Sequence, residues 1–242
     1  ARKPAPIQVS YLSQGLTTGL SAMDYTIGDR WLNFDGAMQS FATEKVVELP
    51  GGFEVKALYW DLPVGEAPSM ANGFITFASF NNPAKISDAS LKLWAAVLDH
   101  VSEARLLIKG KWLDRPEKRA FLSKRLEEHG IPVERTDLRG FVLKGDHLEV
   151  HNLVDIALDT VPFTGGRTTV DALWMGVPVV TLIGEAVYGR YSYSHLNRVG
   201  VPELAAKDEA GFIDIAAALA GDPDRLGHYR QTLRPALQAS SL

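Results

Sequence analysis

One stretch of the sequence decides the fold: LVDIALDTVPFTGGRTTVDALWMGVPVVTL, residues 153–182. Its first segment, 153–160, is strongly apolar and predicts a buried strand and the end of that strand. The pair Gly165-Gly166 follows, and then a short helical segment that stops at Gly176 before a second apolar strand. The order strand, glycine turn, helix, strand predicts a parallel α/β unit.

The glycine turn also predicts an anion site. A helix that begins at the carboxyl end of a strand offers N–H groups and the positive end of its dipole to a negative ligand. Arg167 adds a planar fork of donors, and Thr168 and Thr169 add hydroxyls. We interpret the turn as a diphosphate cradle, hence a nucleotide or nucleotide-sugar site. On local physics alone, a plain connection between strand and helix is the alternative.

Composition limits the class of protein. The chain has 242 residues, a net charge of −4 and no cysteine, which fits one large domain or one and a half small ones in the cytoplasm. The slightly negative charge argues against a general nucleic-acid or membrane-surface binder, and no apolar run approaches the ~20 residues of a membrane helix. No spacing of Asp, Glu and His suggests a metal site. We therefore expect no nucleic-acid partner, no membrane and no metal.

A linker is predicted between residues 59 and 73, because Pro63, Gly65, Pro68 and Gly73 lie close together there. We divide the chain into domains 1–70 and 71–242. Beyond the linker, strands and helices alternate, which predicts a parallel sheet with helices on both faces. The predicted strands are 7–12, 23–27, 45–49, 74–80, 105–108, 135–141 and the two described above, and the other predicted helices begin near Ser87, Pro116, Gly145, Tyr193 and Asp208.

Polar residues follow three of these strands, at the edge where parallel sheets bind ligands. In segment 80–86, Lys85 could reach a phosphate, although a surface lysine is the simpler interpretation. Lys144 and His147 could meet a ribose and a base, or be polar surface residues. Asp171 could accept ribose hydroxyls, or merely interact with the helix dipole. A basic cluster is interpreted as a solvated helix entry, with a binding patch as the alternative; it comprises Lys109, Lys111, Arg115, Lys118 and Arg119.

These segments, in this order and spacing, resemble the O-linked N-acetylglucosamine transferase family, glycosyltransferase family 41, including its SPINDLY branch. The similarity extends over nearly the whole chain. It is carried by 4–12, 17–19, 23–25, 80–86, Lys144, His147, 153–160, 165–181, 184–190 and 199–204. The resemblance implies a GT-B glycosyltransferase of two α/β lobes. The chain would then comprise the end of the N-terminal lobe and a Rossmann-like C-terminal lobe that grips the sugar nucleotide.

The resemblance assigns a phosphate side to the site. It implies that Lys85 neutralises the diphosphate of the leaving nucleotide and that Asn82 lies beside this diphosphate. Thr168 and Thr169 would hold phosphate oxygens at the helix N-terminus. Arg167 stands where family members commonly have histidine.

It also assigns a nucleoside side. The backbone near Val142 would read the edge of the base, and His147 would lie against the uracil. Lys144 and Asp171 would contact the ribose. No general base is identified by the resemblance, so Lys85 is the one residue given a catalytic role.

The function implied is inverting, metal-independent transfer of N-acetylglucosamine from UDP to Ser or Thr of a protein acceptor, with no cofactor besides the donor. GDP-fucose as donor and a non-catalytic nucleotide-binding module are the alternatives. The chain departs from the family at Ser13-Gln14-Gly15-Leu16, where a Gly-Tyr-Pro-Gly-type turn is usual. Much of the N-terminal lobe, the helical repeats and a last helix are absent, which predicts a piece of a longer chain.

Overall fold

The computed structural model describes residues 3–11, 17–52, 62–140 and 144–242. Its strands form two parallel sheets. The smaller sheet has the order β1-β2-β3 and lies in the first 48 residues. Its strands are β1 (Val9–Ser10), β2 (Tyr25–Gly28) and β3 (Lys45–Glu48), and helix α1 (Ala37–Phe41) lies between the last two.

The larger sheet has six parallel strands in the order β6-β5-β4-β7-β8-β9. These are β4 (Thr76–Ser79), β5 (Arg105–Lys109), β6 (Thr136–Arg139), β7 (Ile156–Leu158), β8 (Val179–Leu182) and β9 (Ala205–Ala206). The chain builds outward from β4 to β6, then returns to the other side of β4 and builds outward again. The carboxyl ends of β4 and β7 therefore form the point at which the strand order reverses, where such sheets bind ligands.

Helices cover both faces of this sheet, as predicted. They are α2 (Ser69–Asn72), α3 (Asp88–His100), α4 (Pro116–Glu128), α5 (Lys144–Glu149), α6 (Arg167–Trp174), α7 (Tyr191–Val199), α8 (Glu209–Ala220) and α9 (Pro223–Ala239). Right-handed crossovers place α3 and α4 on one face and α6 and α7 on the other, because the strand order runs in opposite directions in the two halves. None of these helices, within the described part of the chain, is long and apolar enough to cross a membrane.

Helix α3 shows how the sequence positions an element. Ser87 caps it by accepting a hydrogen bond from the Ser90 N–H at 3.1 Å. Its apolar face, including Leu91, Trp94 and Leu98, is fully buried in the main core. The burial follows from the predicted helical spacing, and the cap follows from the preference of serine for the N-cap position.

Helix α9 was not predicted. It contains Gly227 and Pro235, two residue types of low helix propensity, so the sequence did not indicate a helix there. Its buried residues nevertheless recur at helical spacing: Leu226, Tyr229, Arg230, Leu233 and Leu237. Two smaller differences concern the N-terminal part. Strand β1 is shorter than the predicted strand 7–12, and α1 forms where no helix was predicted.

The described part of the predicted linker, from residue 62 onward, is hydrogen-bonded to residues of the larger sheet's unit. The Gly65 N–H donates to Asn152 Oδ1 at 2.9 Å, and Arg234 Nη1 on α9 donates to the Leu62 carbonyl at 2.7 Å. Ser69 N–H donates to the buried carboxylate of Asp155 at 3.0 Å. The described end of the linker is thus fixed to the larger unit. The division of the chain at residue 70 stays a prediction.

Helix α7 joins the two sheets. Its Ser194 hydroxyl donates to Asp29 Oδ2 at 2.6 Å, and Arg198 Nη1 donates to the Gly51 carbonyl at 2.8 Å. Just before it, Arg190 Nη1 donates to the Phe34 carbonyl at 2.9 Å. A second apolar cluster lies at the same junction; it comprises Leu32, Met38, Val187 and Tyr191.

Candidate functional site

A buried carboxylate organises the point where the strand order reverses. Asp159 follows β7 and is 1% exposed. Its Oδ1 accepts hydrogen bonds from Asn81 Nδ2 at 2.9 Å and from the N–H groups of Thr160 and Gly165 at 2.9 and 2.8 Å. Its Oδ2 accepts from the Thr181 hydroxyl at 2.7 Å. These neutral donors fix the exits of three adjacent strands relative to one another.

The glycine turn needs Gly165 because three polar side chains meet there. A Cβ on Gly165 would lie 2.3 Å from Thr169 Oγ1, 3.0 Å from Thr168 Oγ1 and 3.4 Å from Asn81 Oδ1. Helix α6 begins two residues later, so its first turn opens at the carboxyl end of β7. N–H groups in that position favour an anion.

Lys85 brings a cation to this turn. Its Nζ donates to the Thr164 carbonyl at 2.9 Å and lies 3.9 Å from the centre of the Phe163 ring. Burial lowers the pKa of the Lys85 ammonium, while the nearby Asp159 carboxylate opposes that shift. An ammonium held by one backbone carbonyl keeps donors for a further anion.

The two threonines of the turn have different surroundings. The Thr168 hydroxyl is partly exposed and donates to Asn81 Oδ1 at 2.9 Å. The Thr169 hydroxyl is buried and lies 2.7 Å from Ser192 Oγ, which itself donates to the Gly165 carbonyl at 3.0 Å. Thr169 therefore ties α6 to α7. Its contact with a phosphate oxygen stays a prediction.

Asn82 is exposed, and its side chain accepts a hydrogen bond from the Ala84 N–H at 3.1 Å. It caps the short turn that carries Lys85. The neighbouring Asn81, which the sequence did not single out, is the asparagine that lies between Asp159 and Thr168. The placement of Asn82 beside a diphosphate stays a prediction.

Two of the predicted ribose and base residues, Asp171 and His147, lie close together at helix α6. Asp171 is 4% exposed and accepts from Arg167 Nε at 2.6 Å. His147 Nε2 lies 3.7 Å from Asp171 Oδ2. Arg167 itself is largely exposed and stands at the mouth of the site. The guanidinium of Arg167 and the imidazole of His147 thus both lie beside this carboxylate.

Two residues that the sequence did not assign to the site lie here. Lys109, placed in a solvated cluster by its neighbours, is 3% exposed, and its Nζ lies 2.6 Å from His147 Nδ1. The solvated interpretation is wrong for Lys109, because it is the last residue of β5 and follows three buried residues. That strand-end position is the signal that could have found it.

His151 is the second such residue. It is fully buried and stacks on Phe80 with ring centres 3.8 Å apart. Burial, and after it the neighbouring His147, lower the pKa of His151 to about 3. The His151 ring is therefore neutral at pH 7 and forms the apolar floor below His147.

Two predicted base and ribose contacts lie outside what can be described. Val142 falls in the gap between the described ranges, and the same is true of Ser13-Gln14-Gly15-Leu16. Lys144 is the first residue of α5, but its side chain is outside the described part. The roles of Val142 and Lys144 stay predictions.

A cavity of about 680 Å³ lies between the N-terminal part of the chain and the segment that follows β8. Phe163 connects this cavity to the candidate site. Its ring stacks on Tyr188 in the cavity wall, with ring centres 5.6 Å apart, and it also contacts the Lys85 ammonium. The lining residues are Thr17, Phe41, Pro162, Gly184, Glu185, Ala186, Val187 and Tyr188. Among the described residues, no group of three or more His, Cys, Asp and Glu could hold a metal ion.

A model of glycosyl transferase family 41 matches residues 66–242. The chain belongs to this family. Over its whole length it is 38% identical to a protein of Solanum lycopersicum named probable UDP-N-acetylglucosamine–peptide N-acetylglucosaminyltransferase SPINDLY. A Caenorhabditis elegans protein named UDP-N-acetylglucosamine–peptide N-acetylglucosaminyltransferase is 32% identical over 69% of this chain.

Solved structures confirm the fold. A Thermobaculum terrenum O-GlcNAc transferase mutant matches all of this chain with a TM-score of 0.91 and 38% identity. Sucrose-phosphate synthase of Thermosynechococcus elongatus matches 90% of it with a TM-score of 0.62 at 15% identity, which supports the fold alone. The GT-B architecture is therefore confirmed.

The chain spans only part of its relatives. It covers 26% of the Solanum lycopersicum protein, 14% of the Caenorhabditis elegans protein and 46% of the Thermobaculum terrenum chain.

Proposed function

We propose that this chain is the donor-binding part of a glycosyltransferase that moves N-acetylglucosamine from UDP to Ser or Thr hydroxyls of a protein acceptor. The names of its relatives support the donor and the peptide acceptor. The observation that carries the proposal is the contact of Lys85 with the glycine turn that leads into α6, at the point where the strand order of the sheet reverses.

The chemistry of transfer explains this arrangement. When an acceptor hydroxyl attacks the anomeric carbon, the bond to the β-phosphate oxygen breaks and UDP leaves with additional negative charge. Lys85, Arg167 and the N–H groups of α6 would stabilise that charge where it develops. Such fixed positive groups can serve an inverting displacement without a metal. Lys85 is then the catalytic residue, and the base that takes the hydroxyl proton is not assigned.

The nucleoside would occupy the other side of α6. His147 offers a ring for the uracil, and its 30% exposed side chain stands above the buried His151. Asp171 offers carboxylate oxygens for ribose hydroxyls, and Lys144 and the backbone at Val142 complete this side in the proposal. Asn82, Thr168 and Thr169 belong to the diphosphate side.

The cavity lined by Tyr188 is the proposed place of the donor sugar and the acceptor. It adjoins Lys85 through Phe163, so that a sugar leaving the diphosphate can enter it. The acceptor itself, the absence of a cofactor, the absence of nucleic-acid and membrane partners and the cytoplasmic location stay predictions.

Donor selectivity tests the proposal. Calorimetric titration of the chain with UDP, UDP-N-acetylglucosamine, GDP and GDP-fucose should show at least about tenfold tighter binding of the uridine nucleotides, a difference of ~1.4 kcal/mol. Tighter binding of GDP and GDP-fucose would show that GDP-fucose, not UDP-N-acetylglucosamine, is the donor. Failure of all four to bind the folded chain would contradict a nucleotide site.

The role of His147 gives a matched pair of variants. His147→Ala should weaken UDP binding about tenfold, because stacking of a base on an aromatic ring contributes ~1–3 kcal/mol. His228→Ala removes an exposed histidine on α9 and should leave the affinity unchanged. Equal effects of both variants on UDP affinity would contradict stacking of the uracil on His147.

A further inference from the structure

Lys109 is an unusual buried cation. It ends β5, is 3% exposed, and its Nζ lies 2.6 Å from His147 Nδ1. Burying an ammonium is unfavourable unless its hydrogen bonds are satisfied, so an apolar residue would serve the sheet better at this position. Burial lowers the pKa of Lys109, and the carboxylate of Asp171 opposes that shift.

Arg230 shows what a purely structural buried cation looks like in this molecule. It is 6% exposed, and its guanidinium donates to the backbone carbonyls of His151, Val154 and Met175. Those acceptors are fixed parts of the fold. Lys109 instead donates to an imidazole that faces the candidate site, so its effect falls on the orientation and protonation of that ring.

The geometry assigns the proton on His147. An ammonium donates and cannot accept, so Nδ1 must be the acceptor and carries no proton. In a neutral ring the proton is then on Nε2, the atom 3.7 Å from Asp171 Oδ2. Lys109, His147 and Asp171 therefore form an ordered row across the site, with Arg167 paired to the same carboxylate at 2.6 Å.

We propose that Lys109 is a positioning residue that holds His147 in the Nε2–H tautomer, with its ring directed at Asp171, for the donor nucleotide. The proposal rests on the proposed function of this site. Because Asp171 is the proposed ribose ligand, the row links the base side to the ribose side. Lys109 acts through His147 and needs no contact with the nucleotide.

Nitrogen NMR of the histidine-labelled chain reads the tautomer directly, because protonated and unprotonated ring nitrogens resonate far apart. In the ligand-free chain at neutral pH, His147 should show an unprotonated Nδ1 and a protonated Nε2. In Lys109→Met this pattern should change to a mixture of tautomers, whereas Lys109→Arg, which keeps a donor, should preserve it. Lys111→Met is the matched control, since Lys111 is exposed two residues away and carries the same charge.

UDP titration of the same variants links the tautomer to binding. Lys109→Met should bind UDP about tenfold more weakly, Lys109→Arg within about threefold of the native chain, and Lys111→Met within about twofold. Thermal unfolding of each variant shows that it is folded. If Lys109→Met does not fold, the native chain and Lys109→Arg still decide the matter through the nitrogen signals.

An Nδ1–H tautomer in the native chain would overturn the proposal, as would an unchanged tautomer and affinity in Lys109→Met. Failure of the native chain to bind UDP is a different result. It would contradict the proposed function, while the nitrogen spectra would still show whether Lys109 fixes the tautomer of His147.

Discussion

Two buried carboxylates lie at helix α6, Asp159 before it and Asp171 within it, and their partners differ in kind. Asp159 receives four hydrogen bonds from neutral donors, two of them backbone N–H groups. Asp171 faces charged or titratable side chains instead, with Arg167 at 2.6 Å and His147 at 3.7 Å. Both are less than 5% exposed. The first carboxylate is part of the scaffold, whereas the second has partners that a ligand could exchange.

The physical reason is that the donors to Asp159 are harder to move than the donors to Asp171. Backbone N–H groups and the short side chains of Asn81 and Thr181 cannot move without moving the strands. The long, largely exposed side chain of Arg167 can turn toward a ligand, provided that the ligand takes over the hydrogen bond to the buried Asp171 carboxylate. We therefore expect loss of Asp159 to damage the fold and loss of Asp171 to damage binding.

The largest expected effect is that of Asp159→Ala. It leaves Asn81, Thr181 and two backbone N–H groups without their acceptor, and each unpaired buried group costs ~1–3 kcal/mol. The free energy of unfolding, measured by urea denaturation, should fall by ~3 kcal/mol or more. Thr181→Val, which removes one donor, should cost about 1 kcal/mol. A loss below ~1 kcal/mol for Asp159→Ala would break the comparison.

Gly165→Ala tests the scaffold from the glycine side. Its Cβ would lie 2.3 Å from Thr169 Oγ1, so the turn must shift at a cost of ~1–3 kcal/mol, and UDP binding should be lost with it. Gly227→Ala on α9 is the control, because nothing lies within 4 Å of its added Cβ. It should stabilise the chain by ~0.5–1 kcal/mol. Equal stability changes in the two variants would show that the turn is not tightly packed.

His151, which lies below His147 near Asp171, should make the stability of the chain depend on pH. Its pKa is about 3 in the folded chain and near the ordinary 6.5 when unfolded, so only the unfolded state takes up this proton between those values. Stability contributed by neutral His151 is therefore lost as the pH falls from 6.5 toward 3. Between pH 6.5 and 5 the loss should be about 2 kcal/mol, at ~1.4 kcal/mol per pH unit.

The variant His151→Phe isolates this contribution in urea denaturation at both pH values. It keeps a ring on Phe80 and should remove the stated part of the pH dependence. An identical pH dependence in native chain and variant would mean that His151 is protonated while the chain is folded.

The smallest expected effect on stability is that of Asp171→Asn. The free energy of unfolding should change by less than ~1 kcal/mol, because the amide can still accept from Arg167. UDP binding should nevertheless weaken about tenfold, since the carboxylate is the proposed ribose ligand. Calorimetry and urea denaturation on the same sample check both parts. A large loss of stability would place Asp171 with Asp159 in the scaffold.

Much of the fold could be predicted from local patterns. The apolar segments around 153–182, the glycine turn and the Ser87 cap are set by neighbours in sequence, and the parallel sheet follows from them. Helix α9 was missed because Gly227 and Pro235 lower helix propensity, while burial of its apolar residues, including Leu226 and Leu233, against helices α6, α7 and α8 compensates.

The site was less accessible from sequence, because its chemistry depends on contacts between distant strands. Lys85 and Asp171 could be found at strand and helix ends. Lys109 was grouped with the exposed basic residues after it, although its place at the end of an apolar strand could have separated it from them; its role follows from the contact with His147, 38 positions away. Asn81 was passed over for Asn82 because the sequence does not show which of two adjacent asparagines faces inward.

The measurement that tests the central claim most directly is calorimetric titration of UDP into the native chain, Lys85→Met and Lys92→Met. Lys92 lies exposed on α3, so its loss changes the net charge equally but not the glycine turn. We expect UDP to bind the native chain and Lys92→Met alike, and Lys85→Met at least about tenfold more weakly, as a charge-assisted hydrogen bond contributes ~1.5–3 kcal/mol. Equal affinity of all three, or no binding by the folded native chain, would contradict a diphosphate site at this turn.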